Sequence, residues 1–557
     1  MTPPTGTSVL IVGGGPVGLA AAVELGTRGI DCVVLEPRAT ISSQRPRAKT
    51  TSVRTMEHFR RWGIADRIRA AAALPVSWSQ RVVVATGLLG PELTSFDDCF
   101  GLSVTKTEMF AESGQQIPQP AVERVLRDVV SELPTVRLAV GWSLGSLTES
   151  GHQVVVEAVA ADGARWSITA QYVLGCDGGN SRTRECLGIP MVGPIDARQN
   201  TTFVFRAPGL AEQVPHSPAV HYWIFNARAV GAFGRFDLTD TWWMSSPSSD
   251  RDPALTMRGL LGSDGRIDVD YEILCTDTWQ ARMQLAQTFH TDRVFLVGDA
   301  AHLTPPWGGH GFNTGIGDAV NIGWKLAATL QGWGGHRLLH SYGAERRAIA
   351  ASTITAATAN MTAMRHCAAT SDELDAVGPV GDRARRALGE VIHRAMDAEF
   401  HSLGLVLGYE YTDSPHIVYD DTSGIERNWD PTVYIPSTRP GARLPHSWLA
   451  DGRSVYDTLG TGLTLLTFEG TGSVAIVDAA RRQGIPLAVV DLSDVDLCCD
   501  DQADMLLVRP DQHIAWRGKQ MPPDSVDVIL DRILGRGTVS SLTNISAATG
   551  ETSEACR

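Results

Sequence analysis

Apolar residues along this chain follow two rhythms, and the change from one to the other outlines its parts. At the start, Val9-Leu10-Ile11-Val12 runs into Gly13-Gly14-Gly15-Pro16-Val17-Gly18, a helical stretch follows, and Cys32-Val33-Val34-Leu35 ends on Glu36. Short uninterrupted apolar runs suit strands covered on both faces, so 8–36 predicts one βαβ unit of a parallel sheet. Two later runs of the same kind end in an acidic turn: Tyr172-Val173-Leu174-Gly175-Cys176 before Asp177-Gly178, and Val294-Phe295-Leu296-Val297 before Gly298-Asp299. Between them come aromatic-rich runs at 201–206, 220–225, 230–236, 242–245 and 269–275, separated by turn residues, which predict an antiparallel sheet. From Lys325 to about 405 the pattern is helical, with alanine-rich stretches at 348–363 and 383–396. The segment 411–443, rich in Pro, Asp, Ser and Thr, reads as an extended linker. Strand-like runs at 463–468, 473–477, 487–491 and 505–509 then alternate with short helical stretches, and the tail beyond 538 is expected to be mobile.

A chain of 557 residues exceeds what one core holds and suits two or three domains. Its net charge of −14 argues against nucleic acid or an anionic membrane as the main partner, because both require a basic face. No apolar segment is long enough to span a bilayer, and the first residues lack the basic and apolar regions of a signal peptide, so a cytoplasmic protein is expected. The 9 cysteines are odd in number and scattered, and no pair has C-x-x-C spacing. That pattern fits reduced core thiols and counts against a zinc clamp, a redox dithiol or a flavin disulfide reductase. No metal site is expected.

The glycine turn carries the first chemistry. Gly13 permits the tight turn, Gly15 lets the backbone approach a pyrophosphate, and Gly18 lets the helix pack against the strand, with Pro16 and Val17 opening the helix toward the anion. Glu36 stands where a carboxylate accepts hydrogen bonds from a ribose diol. The Gly298-Asp299 turn and the stretch Leu303 to Ala319 that follows it decide between nucleotides. NAD has no use for such an element, whereas the ribityl chain and ring of FAD extend well past the adenosine half. Asp299 can hold a ribityl hydroxyl, and Pro306, Gly309, Gly311, Phe312 and Asn313 lie in a segment whose backbone N–H groups can meet the flavin's pyrimidine edge.

These three motifs in this order resemble the single-component FAD-dependent aromatic hydroxylases, the class A flavin monooxygenases, over nearly the whole chain. Within that family the chain is most similar to phenol and 2,4-dichlorophenol hydroxylases and to hydroxylases of aromatic polyketides. Further matches are Arg45-Pro46-Arg47-Ala48, Thr55-Met56-Glu57, Trp62-Gly63-Ile64, Gln119-Pro120-Ala121-Val122-Glu123 and Ser437 through His446. The resemblance implies an α/β fold with a Rossmann-like FAD domain of the glutathione-reductase type, like para-hydroxybenzoate hydroxylase, an inserted antiparallel substrate sheet and a thioredoxin-like C-terminal domain. The expected boundaries are FAD domain 1–188 and 285–405 (the latter with its helical extension), substrate sheet 189–284, linker 406–443 and C-terminal domain 444–557. Val508 through Arg517 looks like the closing hairpin of the last, which lacks C-x-x-C and so performs no thioredoxin chemistry. The resemblance also implies a homodimer.

The expected reaction uses NAD(P)H and O2: the flavin takes a hydride, forms a C4a-hydroperoxide and delivers oxygen to a phenolic ring, either a simple phenol or an aromatic secondary metabolite. The protein must position the ring, exclude water and raise its electron density. No second G-x-G-x-x-G with its own βαβ unit appears, and the family binds nicotinamide transiently near Asp177 and Gly178. Gln119 and Arg45 are expected to help bind FAD, and Arg47 to lie beside the flavin and serve its reduction. Candidate proton acceptors are Tyr222, with His221 beside it, and His310. For each a structural reading stands alongside: core packing for the strand aromatics, and hydrogen bonding to backbone for His310. His302 reads as a hydrogen-bonding support. Baeyer–Villiger oxidation, epoxidation and a flavin oxidase remain open on the same scaffold.

Overall fold

The computed structural model describes residues 2–42, 49–247, 253–262, 269–368, 372–421, 429–468, 473–497, 499, 503–519 and 525–536. It divides into two compact units, one of Met1–Val320, Arg346–Tyr409 and Asn428–Ile435, the other of Asn321–Glu345, Glu410–Arg427 and Pro436–Arg557. The expected mobile tail beyond 538 and Cys498 fall outside the described residues. The described cysteines are all free thiols.

The first unit is organised by a seven-stranded sheet. Gly6–Val12 lies between Cys32–Glu36 and Arg165–Gly175, parallel to both, and Val294–Leu296 pairs in parallel with Arg165–Gly175. The register places Val12 beside Gly175 and Gly175 beside Leu296, so the three motif strands stop level with one another. Their apolar runs are buried, as expected of strands covered on both faces. Gln153–Ala160 and Trp142–Ser150 extend the sheet by antiparallel pairing.

A second seven-stranded sheet runs in the order Glu272–Arg282, Ile195–Arg206, Thr241–Ser246, Val230–Arg235, His221–Phe225, Val82–Ala85, Glu92–Phe96. The expected aromatic runs all contribute, and the 269–275 run begins its strand only at Glu272. Two strands come from 82–96, well before the stretch that the sequence pattern marks as the insert. Val82–Ala85 is an apolar run that pairs in parallel with His221–Phe225, the one parallel pairing in this sheet among the described residues.

The second unit holds a four-stranded sheet ordered Leu487–Asp491, Leu463–Thr467, Met505–Val508, Ile514–Gly518, with the first pair parallel and the others antiparallel. The run at 473–477 is not a strand but opens the helix Val474–Arg482. A five-residue apolar run does not separate the two periods; Ile476, Ala479 and Ala480 recur at helical spacing and are the buried residues, while Val474 is exposed. The segment expected as a linker carries no helix or strand among its described residues from 411 to 443, yet Tyr411, Ile417, Thr438 and Arg443 in it are buried.

Beside this core, Arg509 makes a two-pronged pair with Glu345 at 2.7 and 2.8 Å and a third contact to Asp511 at 2.6 Å, while Lys325 reaches Glu345 at 2.6 Å. All four side chains are buried. Burial alone would raise the Glu345 carboxyl, but Arg509 and Lys325 outweigh it and hold it well below the usual range. Arg509→Met would leave the carboxylates with too little positive charge, and should lower stability by about 3–5 kcal/mol in denaturant titration. A depressed carboxyl contributes fully above its unfolded value of about 4.3 and loses that contribution as the pH falls through the folded value. The acid limb of the stability profile should therefore be shallower in the variant than in the wild type.

Candidate functional site

Three turns leave the level strand ends together. Gly13 has φ +105°, and a Cβ there would stand 2.4 Å from the Cys176 carbonyl oxygen, so the close approach of the first and second motif strands requires glycine. A Cβ on Gly18 would meet the Gly13 oxygen at 1.9 Å. Gly15 differs: its φ is −74° and an added Cβ meets nothing within 4 Å. Protein packing gives no reason for glycine at 15, whereas a ligand lying against the backbone does. Gly15 caps a helix, Pro16–Gly26, that has no side-chain cap and no acid in its first turn, so its leading N–H groups face the same space. Val17 packs against both Gly298 and Gly315, joining the first turn to the third.

Glu36 ends its strand and is buried, accepting from Gly14 N–H at 2.8 Å and from Arg38 N–H and Nε at 2.9 and 2.7 Å. Asp177 accepts from Thr183 N–H and Oγ1 at 2.8 and 3.0 Å and from Ser181 Oγ, so its carboxylate holds the start of the helix Arg182–Cys186. Gly178 follows with φ +80° and open space around it. The third turn depends on Asp318. Its carboxylate accepts from Gly298 N–H at 3.2 Å, His302 Nε2 at 2.7 Å and Arg346 Nε at 2.7 Å, and Arg346 also donates to Thr314 O at 3.1 Å. Burial pushes the Asp318 carboxyl up, but Arg346 and His302 outweigh it and keep it ionised below the usual range. His302 thus stands as the hydrogen-bonding support that the sequence suggests.

Asp299 faces a cavity of ≈ 700 Å³ whose wall also includes Gly179, Asn180, Pro306 and Gly309 from the turns and His221, Trp223, Trp243 and Trp279 from the second sheet. Six of its residues carry a buried nitrogen or oxygen with no hydrogen-bond partner among the described residues: Asn200, Trp223, Trp243, Thr304, Trp307 and Glu399. Such groups are costly unless a polar ligand meets them. Together with the open space at Gly15, they fit a long, polar, ring-bearing cofactor and a substrate beside it.

Several expected site residues are placed elsewhere. Tyr222 does not face the cavity; it is buried in the opposite core, its hydroxyl accepting from Ala219 N–H at 3.0 Å and donating to Ser217 O at 3.4 Å. Strand alternation sends His221 and Trp223 to the cavity and Tyr222 and Ile224 away from it. Trp223, Trp243 and Trp307 line the cavity, while Phe225 and Trp242 belong to cores. His310 lines a smaller adjoining cavity with Ser52, Val53 and Leu403, and burial lowers its imidazole to about 4. Asn313 is fully engaged with protein, accepting from Ser52 N–H at 2.9 Å and Thr55 Oγ1 at 2.8 Å and donating to Thr50 O and Gly309 O. The Gly309 N–H is already bound to Pro306 O at 3.0 Å, which leaves the leading N–H groups of the helix His310–Leu330, around Gly311 and Phe312, as the donors available there. Gln119 opens the helix Gln119–Glu132. Arg45 and Arg47 lie outside the described residues.

Two ionisable wall residues are buried against their charge. Lys49 is buried, and burial lowers its ammonium to about 7. Glu399 is buried too; burial raises its carboxyl to about 8, although the Gly308 N–H it accepts from works the other way. Glu399 had a signal, an acid continuing the apolar helical stripe Ile392, Met396 and Phe400. Lys49 shares a basic loop with Arg45 and Arg47, among which the sequence leaves the register open, and nothing in the sequence marks its burial.

Three parallel strand ends with a glycine turn and two acidic turns, beside an aromatic cavity, define a nucleotide-binding oxidoreductase fold whose third turn extends the site toward a flavin. A family model described as an FAD binding domain matches residues 6–357, and one described as the C-terminal part of aromatic-ring hydroxylases matches 437–537. The chain belongs to this family of single-component FAD-dependent aromatic-ring hydroxylases. It is 31% identical over 551 residues, 92% of this chain and 87% of the relative, to the FAD-dependent monooxygenase apdD of Emericella nidulans. It is 29% identical to a putative polyketide hydroxylase of Streptomyces halstedii, over 94% of this chain and 96% of that one. In structure it is similar to the rebeccamycin biosynthetic enzyme RebC with reduced flavin, at TM-score 0.87 and 31% identity, covering 96% of this chain and 100% of that one. The cofactor is FAD, and the protein is a monooxygenase. Among the described residues no helix is long and apolar enough to cross a membrane, and no group of three or more His, Cys, Asp or Glu side chains could hold a metal ion.

The glycines separate cofactor binding from folding. Gly15→Val should leave the unfolding midpoint of the FAD-free protein unchanged while weakening FAD retention at least about tenfold, measured by flavin absorbance after dialysis. Gly13→Ala, strained at positive φ and against Cys176, should lower the stability of the FAD-free protein itself by about 1–3 kcal/mol.

Proposed function

We propose that the protein uses NAD(P)H and O2 to hydroxylate the phenolic ring of a polycyclic aromatic metabolite. The observation that carries this is the wall of the cavity, where Trp223, Trp243, Trp279 and Trp307 present flat apolar surfaces beside the space that Asp299 and Gly309 border for the flavin. FAD, when bound, would pass two electrons from NAD(P)H to O2, one of whose oxygen atoms goes to the ring while the other leaves as water. The chain's own residues bind and shield. The backbone at Gly13, Gly15 and Gly18 and the helix that Pro16 and Val17 open take the pyrophosphate, Glu36 the ribose, Asp299 the ribityl chain, and the helix start around Gly311 and Phe312 the pyrimidine edge. Indole walls hold the substrate ring flat and keep water out. His221, whose imidazole burial and the neighbouring Lys49 hold neutral, offers an acceptor nitrogen to the phenol O–H in place of Tyr222.

The same reading assigns 1–188 and 285–405 to the FAD domain, except for the strands of 82–96 that join the second sheet, that sheet to the substrate and 444–557 to a thioredoxin-like domain. One parallel and two antiparallel pairings flanked by the helices Val474–Arg482 and Val526–Ile533 support the last of these. It also carries a homodimer in solution. A monomer mass by light scattering would remove that part.

The experiment is NADH and NADPH consumption by the yellow holoenzyme against phenol, naphthols and polycyclic polyketides, under isotopically heavy O2 with product mass recorded. Polycyclic phenols should stimulate consumption most, with one heavy oxygen in the product. Stimulation without incorporation would mean an oxidase or uncoupled turnover, and an oxygen inserted into a ring bond would mean Baeyer–Villiger chemistry.

A further inference from the structure

Lys49 is a buried cation in the cavity wall with no carboxylate partner among the described residues. Its side chain has three N–H donors and no acceptor. Nζ donates to Val220 O at 2.8 Å and to Arg235 O at 3.4 Å, which accounts for two of them. Both acceptors belong to the second sheet, and the Trp243 ring lies 5.5 Å from Nζ. His221 stands in the same part of the wall, at right angles to Trp243 with ring centres 5.4 Å apart and 5.3 Å from Phe100. Lys49 is therefore held to the second sheet at the cavity wall, and two of its three donors have acceptors among the described residues.

We propose that Lys49 is the anchor for an anionic oxygen of the substrate, a carboxylate or an ionised phenol or enol, and that the enzyme accordingly selects acidic aromatic substrates. The proposal rests on the hydroxylase reading and adds to it the charge class of the ligand. Apolar indole and phenyl walls make a charge pair here stronger than it would be in water. The lowered ammonium agrees: burial disfavours the charge, and an anion beside it favours the charged form again. An anionic oxygen beside Nζ also remains within reach of the neutral His221, so the same anchor orients the ring.

The test uses the FAD-loaded enzyme and a matched pair of probes, 1-naphthoate and 1-naphthamide, with binding followed by the change in flavin absorbance. The wild type should bind naphthoate more tightly than the amide. Lys49→Met, close in size and uncharged, should weaken naphthoate at least about tenfold while moving the amide less than about twofold. Lys49→Arg should keep the preference for the acid. Equal loss of both probes in Lys49→Met, no preference in the wild type, or no binding of either probe would overturn the anchor. If phenols still drive NAD(P)H consumption and oxygen incorporation in that case, the hydroxylase reading stands and only the anchor falls. If naphthoate is preferred but no aromatic compound drives turnover, the hydroxylase reading falls and the anion site remains.

Discussion

The site depends on one buried carboxylate. Asp318 binds the Gly298 N–H, the His302 ring and the Arg346 guanidinium at once. An ionised carboxylate without these partners would be expensive to bury, so each partner is held where the others need it. That fixes the acidic turn carrying Asp299, the short strand of His302 and the first turns of the helix from His310 as a single body. Val17, seated against Gly298 and Gly315, passes the same constraint to the glycine turn. The three turns are therefore held together by contacts within the protein itself.

The substrate side follows a different rule, the two-residue period of a strand. His221 and Trp223 reach the cavity because Tyr222 and Ile224 fill the core behind them. The wall is thus rigid by packing, while its unmet polar atoms and the buried Lys49 and Glu399 make it demanding about what enters. Two residues whose burial works against their charge, one basic and one acidic, line one cavity; perturbed groups of this kind gather where chemistry is done.

The sequence by itself determined the parallel strands, the three turns and the cofactor. Apolar runs buried on both faces, a glycine turn and acids at strand ends are local consequences of covering a sheet and approaching a phosphate, and they are readable residue by residue. It also carried the aromatic sheet and the long helices, whose periods hold over enough residues to be distinct. A five-residue run such as 473–477 holds too few turns of either period, and there only packing against the second unit's core chose the helix. Tertiary structure alone decided which of two adjacent aromatics faces the cavity, that Asn313 and Asp177 are engaged with protein, that Val82–Ala85 joins a sheet formed mostly from residues far along the chain, and that Lys49 is buried with no carboxylate partner among the described residues. Each of these depends on groups distant in sequence meeting in space, and a hydrogen-bond partner or a lost layer of water leaves no mark in the order of the residues.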